Sequence, residues 1–150
     1  MSPDYDTDYY AWLISNAESL RAGRVTEIDT TRIAEELEDM GKSERRAIES
    51  WLKVLILHLL KWRYQPLHRS ASWAQSIDNA RDEIQQRLHD SPSLLPRLNE
   101  MIVARYPAAR RAAMRETGLS LNTFPEDCPF TIAQLLDDAF WPEYANEMSQ

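Results

Sequence analysis

The chain has 150 residues, 43% of them hydrophobic, a formal net charge of −7 and a single cysteine. This length predicts one domain over residues 1–150, with a core that needs no disulfide to hold it together. The lone Cys128 excludes an intrachain disulfide and, with an acidic, polar N-terminus unlike a signal peptide, predicts a cytoplasmic protein. The longest apolar run falls well short of the roughly 20 residues that a membrane span needs.

Charge is distributed unevenly along the chain. Residues 1–41 carry ten acidic and three basic side chains, residues 42–120 carry eight and fourteen, and residues 121–150 carry six and none. We expect the acidic ends to pack against the basic middle so that these charges offset locally. The alternative is that the basic middle forms a face for nucleic acid, which an acidic chain makes a weaker hypothesis.

Two helices are predicted in the first part of the chain. The first covers residues 7–22 and ends at Gly23, and the second covers residues 30–40, with Asp29 as its N-cap and Gly41 as its stop. Apolar residues at helical spacing form one stripe on each, and such a stripe normally faces a core. The two stripes comprise Tyr9, Trp12, Leu13 and Leu20, and then Ile33, Leu37 and Met40.

The third predicted helix is the central one. It begins at the capping residue Ser43 and ends before Pro66. From Val54 to Leu60 it is apolar on every face except at His58. A helix that is apolar all round must be covered on more than one side, so we expect neighbouring helices to enclose it, with one imidazole in or near the core.

Three further segments complete the predicted architecture. A fourth helix covers residues 70–89, a fifth begins near Ser93 and is kinked or split by Pro107, and a last one begins with the capping box Thr131–Gln134 and extends to Pro142. The sequence contains no strand pattern and no internal repeat. Short connections favour antiparallel neighbours, so the predicted fold is all-α, an up-down antiparallel bundle of about five to six helices.

Candidate catalytic residues are few. His58 could act as a general base together with His68 or Asp78, but a lone imidazole on an apolar helix is more often a hydrogen-bonded core residue. Histidine and carboxylate spacings typical of a metal site on one helix are absent, so we expect no metal and no cofactor. Cys128 lies in a proline-rich loop, and we expect it to be a small packed residue.

An acidic cluster is followed in sequence by a basic one. We expect these charges to pair across the predicted turn at Gly41 as a salt-bridged corner. The acids are Glu35, Glu36, Glu38 and Asp39, and the bases are Lys42, Arg45 and Arg46.

Basic and aromatic residues alternate in a way that suits either nucleic acid or a salt-bridged surface. Basic side chains contact phosphates and aromatic rings stack on bases, but long basic side chains also cover apolar neighbours. Trp141, close to the C-terminus, is the tryptophan that we expect to be exposed or to bind a partner. The candidates for partner or nucleic-acid binding are Lys61, Trp62, Arg63, Arg69, Arg105, Arg110, Arg111 and Arg115.

An ordered set of short motifs resembles a bacterial family known as domain of unknown function 29. The set comprises YDTDYYAWL, EELEDMGKSERR, HLLKWRYQP, SASW, DSPSL, ETGL and FPEDCP, and it covers residues 5–142. The resemblance implies an up-down helical bundle. It implies no activity, cofactor or catalytic residue.

From these patterns we expect a non-catalytic helical-bundle module that binds another protein, with a homodimer as one form of that interaction. One alternative is a nucleic-acid-associated protein that uses residues 42–120. The other is an enzyme that uses His58.

Overall fold

The computed structural model describes residues 3–145 and contains no strand within them. Its five α-helices are α1 (Tyr9–Arg21), α2 (Thr30–Tyr64), α3 (Ala71–Asp90), α4 (Leu98–Thr117) and α5 (Ile132–Leu136), joined through short 3₁₀ turns. The predicted all-α class is therefore confirmed. None of the helices in the described part is long and apolar enough to cross a membrane.

The predicted capping residues Asp29 and Thr131 both cap helices, and Ser70, where the fourth predicted helix begins, caps α3. The Asp29 carboxylate accepts from the Arg32 amide at 3.1 Å, and the Ser70 hydroxyl accepts from the Trp73 amide at 3.2 Å. Thr131 and Gln134 form the reciprocal capping box of α5. These bonds satisfy amides that the first turn of a helix leaves without partners. Gly23, the predicted stop of the first helix, and Gly118, the C-cap of α4, both have φ +74°, which glycine adopts without strain.

The predicted break at Gly41 and the predicted cap at Ser43 are wrong. Both residues lie inside α2, a single helix of 35 residues. One glycine in a helix interior costs only about 1 kcal/mol relative to alanine. The neighbouring glutamates, lysine and arginines favour helix, so one glycine does not stop it.

We expect Gly41→Ala to stabilise the protein by about 0.5–1 kcal/mol, because alanine favours helix and restricts the unfolded chain. A Cβ at Gly41 would meet nothing within 4 Å. Urea denaturation followed by circular dichroism measures the change. Gly118→Ala is the opposite control, since its φ of +74° strains any side chain, and it should destabilise. A loss of stability in Gly41→Ala would mean that the helix ends at Gly41 in solution.

Three further features differ from prediction. Pro107 does not split the fifth predicted helix, because α4 continues through it from Leu98 to Thr117. A 3₁₀ segment, Pro92–Arg97, precedes α4 where the sequence pattern predicted α-helix. The last helix ends at Leu136 instead of Pro142, since Asp137 already has an extended backbone with ψ 111°.

The chain divides into two compact units, residues 1–43 and residues 44–150, which we call the N-terminal and C-terminal units. The single domain over residues 1–150 therefore stays a prediction. The C-terminal unit has a continuous apolar core to which α2, α3, α4 and the segment after α4 all contribute. Its fully buried members include Leu52, Leu59, Ile77, Ile84, Met101 and Phe124. The predicted central helix is thus enclosed over the part that lies in this unit.

Candidate protein-interaction surface

An apolar groove lies in the N-terminal unit between α1 and the first part of α2. Its volume is about 160 Å³. Each helix contributes three side chains at spacing i, i+4 and i+7, which places them in a row along one helix face. The rows are Leu13, Ala17 and Leu20 on α1 and Ile33, Leu37 and Met40 on α2; Trp12, Asn16 and Glu36 complete the lining.

The two helices run in opposite directions along this groove. The Tyr9 hydroxyl on α1 donates to Glu36 on α2, and the Asn16 side chain accepts from the Asp29 amide at 3.0 Å. Because the later residue of α1 contacts the earlier residue of the second segment, the pair is antiparallel. Two rows of apolar side chains therefore lie side by side along the groove, over about two helical turns, roughly 10 Å.

The prediction that the two apolar stripes face a core is wrong for most of their residues, because these residues are not buried. Trp12 is only 4% exposed, but Leu37 and Met40 are each 64% exposed, and Leu13 and Leu20 are exposed as well. Scattered exposed leucines are ordinary, whereas apolar side chains gathered in one groove make that groove a candidate binding surface.

One edge of the groove is organised around Glu36. Its carboxylate accepts hydrogen bonds from the hydroxyls of Tyr5, at 2.5 Å, and Tyr9. The Tyr5 ring packs edge-on against Trp12, with ring centroids 4.9 Å apart. These contacts hold the start of the chain against α1 and α2, so Trp12 is covered on one side while the groove stays open on the other.

The shared hydrogen bonds shift the pKa of all three groups. The bond to Glu36 is the main cause that raises the pKa of Tyr5 to about 12, and it also raises the pKa of Tyr9. The same bonds, from Tyr5 first and then Tyr9, lower the pKa of Glu36. Glu36 is therefore an anion at neutral pH and the tyrosines are neutral.

We expect Glu36→Gln to lower the pKa of Tyr5 and Tyr9 towards the ordinary value of 10.0. Titration of tyrosinate absorbance against pH measures this. The raised pKa means that the stabilisation by these bonds is complete below pH 10.0 and is lost as pH rises through about 12 for Tyr5. On the acid side the lowered pKa of Glu36 means that its contribution is present above pH 4.5 and is lost as pH falls.

Glu35→Gln is the matched control for this titration, because Glu35 is exposed and neighbours Glu36 in sequence. Its tyrosine titration should match that of the unmodified protein. If Glu36→Gln also left the curve unchanged, the hydrogen bonds from Tyr5 and Tyr9 would not exist in solution.

The N-terminal unit has a surplus of negative charge that its own bases do not offset. Arg24 pairs with Glu27 at 2.7 Å, and Arg32 lies within 3.9 Å of Asp29 and within 3.7 Å of Asp6. Arg21 and Lys42 are the remaining bases of the unit, which carries ten acidic side chains. Exposed acids also follow the groove residues in sequence, with Glu38 and Asp39 between Leu37 and Met40.

The residues of the catalytic hypothesis do not form an evident reaction centre. Nδ1 of His58 lies 2.8 Å from the Val54 carbonyl of its own helix, and the side chain is half-buried. His68 and Asp78 are both exposed. Among residues 3–145, no three His, Cys, Asp or Glu side chains come together as a metal-binding group.

The predicted salt-bridged corner is wrong, because α2 makes no turn at Gly41. Arg45 instead pairs with Glu49 at 3.3 Å, one turn along the same helix, and with Glu100 of α4 at 3.2 Å. Glu36 is bound by tyrosines. Because α2 is continuous, the acidic and basic clusters follow each other along one helix instead of facing each other across a turn.

Most of the basic candidates have partners within the C-terminal unit. Lys61 pairs with Glu116 at 2.9 Å and lies over the Trp73 ring, and Arg105 pairs with Glu49 at 3.1 Å.

The other basic candidates divide into engaged and exposed side chains. Arg69 donates to the Trp62 carbonyl, and Arg110 donates twice to the Phe124 carbonyl. Arg63 is half-buried beside the Tyr64 ring. Arg111 and Arg115 are exposed on α4.

Trp141 is half-buried within the C-terminal unit, so the prediction that it is exposed is wrong, and binding of a partner by Trp141 stays a prediction. Its ring lies 4.7 Å from the Trp62 ring and 5.8 Å from the Arg81 guanidinium, and it is half-buried against the core. The segment continues to Ala145, whose amide donates to the Arg63 carbonyl at 3.3 Å. The end of the chain beyond Ala145 lies outside the described residues.

A second cavity of about 590 Å³ lies in the C-terminal unit between α4 and residues 126–133. The Tyr106 hydroxyl at its base donates to the Pro125 carbonyl at 2.5 Å, and the Cys128 thiol donates to the Phe130 carbonyl at 3.6 Å. Burial raises the pKa of Cys128, which disfavours a reactive thiolate. The prediction that Cys128 is a packed residue is confirmed.

The fold and surface define an all-helical protein with an apolar groove between two antiparallel helices. The chain belongs to the family described as Domain of unknown function DUF29, whose model matches residues 5–141. This match confirms the resemblance inferred from the sequence motifs. No curated protein and no solved structure matches the chain.

Proposed function

We propose that this chain is a non-catalytic protein-interaction module that binds a helix of a partner protein in the groove between α1 and the first part of α2. The observation that supports this most directly is the pair of exposed apolar rows, three side chains long on each helix. A third helix fits such a groove by inserting its own apolar face between the two rows, which is a common mode of peptide recognition.

The other two hypotheses have less support. Nucleic-acid binding depends on basic side chains, and Lys61, Arg69, Arg105 and Arg110 already have partners within the C-terminal unit. Catalysis depends on His58, whose ring is hydrogen-bonded to its own helix, and on His68 and Asp78, which are exposed. A cytoplasmic location is part of the proposal and agrees with the unpaired Cys128.

We expect Leu37→Asp to weaken capture of the partner from the source cell by about tenfold or more, because it places a charge at the centre of an apolar contact. Val25→Asp is the matched control. It introduces the same charge into the same unit at a side chain that is equally exposed, 64%, but that does not line the groove. Both variants should fold normally, since substitutions at exposed sites usually change stability by less than about 0.5 kcal/mol.

Quantitative mass spectrometry of the captured proteins measures the result. The partner is the protein that the unmodified chain and Val25→Asp retain equally and that Leu37→Asp loses. The purified partner must then bind the purified proteins directly, with equal affinity for the unmodified chain and Val25→Asp and with lower affinity for Leu37→Asp. If Leu37→Asp and a second groove variant, Met40→Asp, captured every protein as well as the control did, the proposed function would be refuted.

A further inference from the structure

We infer that the occupant of the groove is a cationic amphipathic helix of another protein, with apolar residues at spacing i, i+4 and i+7 and with lysines or arginines beside them. This inference rests on the proposed function and specifies the partner. The inference follows from the shape of the groove together with the net negative charge of the N-terminal unit that contains it.

The shape selects a helix. The two apolar rows run antiparallel and extend over about two helical turns, so they match the ridge that one face of a third helix presents. A cavity of about 160 Å³ accommodates a few aliphatic side chains and no large ligand. The walls are apolar apart from Asn16 and Glu36, and Glu36 already accepts two hydrogen bonds.

The charge selects a cationic partner. The N-terminal unit carries ten acidic and four basic side chains, and two of the bases, Arg24 and Arg32, are paired inside the unit. The surplus acids include Glu35, Glu38 and Asp39, which are exposed on the same stretch of α2 as the groove residues but on its other faces. Complementary charges beside an apolar contact speed association and exclude wrong partners.

The same charge disfavours a second copy of this chain. Two N-terminal units that met groove to groove would bring two acidic surfaces together. The basic residues of the C-terminal unit are largely engaged, because Arg45, Arg87, Arg97 and Arg105 all pair with glutamates of that unit. An anionic membrane surface is disfavoured for the same reason.

Two designed peptides test the inference. Both are helices of about five turns, roughly 18 residues, with the same leucine face and blocked ends, and one has lysines beside that face while the other has glutamates. Fluorescence anisotropy gives the dissociation constants. We expect the lysine peptide to bind at least about tenfold tighter than the glutamate peptide at ~50 mM salt, and the difference to shrink at ~300 mM salt as screening increases.

Three variants locate the binding and its charge preference. Leu37→Asp should lose the lysine peptide, and Val25→Asp should retain it. Glu38→Lys, an exposed reversal of charge on α2, should weaken the lysine peptide and strengthen the glutamate peptide. In the captured partner, the segment that cross-links to a photoreactive residue at position 37 should be a helix with net positive charge.

Each contrary outcome has a distinct meaning. Equal binding of both peptides, with loss in Leu37→Asp, would overturn the cationic preference and leave the proposed function intact. Binding of the lysine peptide that Leu37→Asp does not weaken would overturn the groove as its site. A dimer in sedimentation velocity that Leu37→Asp dissociates would identify a second copy as the occupant and overturn the inference. Absence of binding by either peptide would also overturn it, and the capture experiment would then decide the proposed function separately.

Discussion

Replacement of Arg81 by alanine is expected to destabilise the protein by about 3–5 kcal/mol, because the substitution removes the donor to two carbonyls and leaves a cavity in the core. Arg81 is 0% exposed. Its Nε donates to the Leu135 carbonyl at 2.9 Å and its Nη2 donates to the Gln134 carbonyl at 3.1 Å. Those carbonyls lie at the end of α5, where most acceptors have no amide partner within the helix, and the Gln134 carbonyl also accepts from the Asp137 amide at 3.3 Å.

Arg81 therefore attaches α5 to α3 through a charged group that the core has removed from water. Burial lowers its pKa, and the nearby Asp138, Asp137 and Asp78 carboxylates act against that shift. A guanidinium stays protonated in proteins, so the side chain remains a cation. Alanine would remove the donors and would also leave a cavity beside Trp141, whose ring lies 5.8 Å from the guanidinium.

Urea denaturation measures the change in the free energy of unfolding. Arg81→Met keeps most of the side-chain volume and should give a smaller loss, which separates the lost hydrogen bonds from the cavity. Arg111→Ala is the control, since Arg111 is an exposed arginine of the same unit and its change should stay within about 0.5 kcal/mol. A loss below about 1 kcal/mol in Arg81→Ala would show that α5 does not depend on this side chain.

Phe124→Ala is expected to destabilise the protein by a similar amount, about 3–5 kcal/mol, because it opens a cavity in a closed core. Phe124 is 0% exposed although it lies in an irregular segment after α4. Its ring packs edge-on against Tyr64, with centroids 5.2 Å apart, and such pairs add about 0.5–1.5 kcal/mol to the effect of burial. Phe124 thus anchors the segment between α4 and α5 on the core.

Thermal and urea unfolding of three variants tests this anchoring. Phe124→Leu keeps an apolar group in the site and should lose only about 1–2 kcal/mol. Leu67→Ala removes an apolar side chain that is 95% exposed and should have almost no effect. The anchoring role would be contradicted if Phe124→Ala were as stable as Leu67→Ala.

Local signals in the sequence predicted most of the helix ends. The predicted signals Asp29, Thr131 and Gly23 act through bonds to residues a few positions away, so the neighbouring sequence contains the information needed. The prediction at Gly41 was wrong because one glycine in a helix costs only about 1 kcal/mol. A helix ends at a glycine only where this free-energy cost exceeds the helix preference of the flanking residues.

The groove could be predicted only in part. Helical periodicity identified both apolar rows, but periodicity shows that a helix has an apolar face and not what covers that face. Leu37 and Met40 were therefore expected in a core and are instead exposed. Leu37 and Met40 belong to a surface groove because α1 lies beside α2, and residue spacing does not show which helices are neighbours.

Arg81 and Trp141 show a second limit of sequence patterns. A charged residue within an amphipathic helix normally faces water, so nothing local distinguishes the buried Arg81 from the exposed Arg111. The position of Trp141 depends on Trp62, which is 79 positions earlier in the chain. Such long-range contacts depend on how the segments of the C-terminal unit pack together, which residue spacing does not show.

Trp12 gives the groove an optical property. It is a wall of the groove, it is 4% exposed, and the other four tryptophans lie at position 51 or later, outside the N-terminal unit. An incoming side chain that displaces water beside the indole would shift the wavelength or the quantum yield of its emission. With the other indoles replaced by phenylalanine, the surface would carry its own fluorophore, and occupancy could be followed without any attached dye.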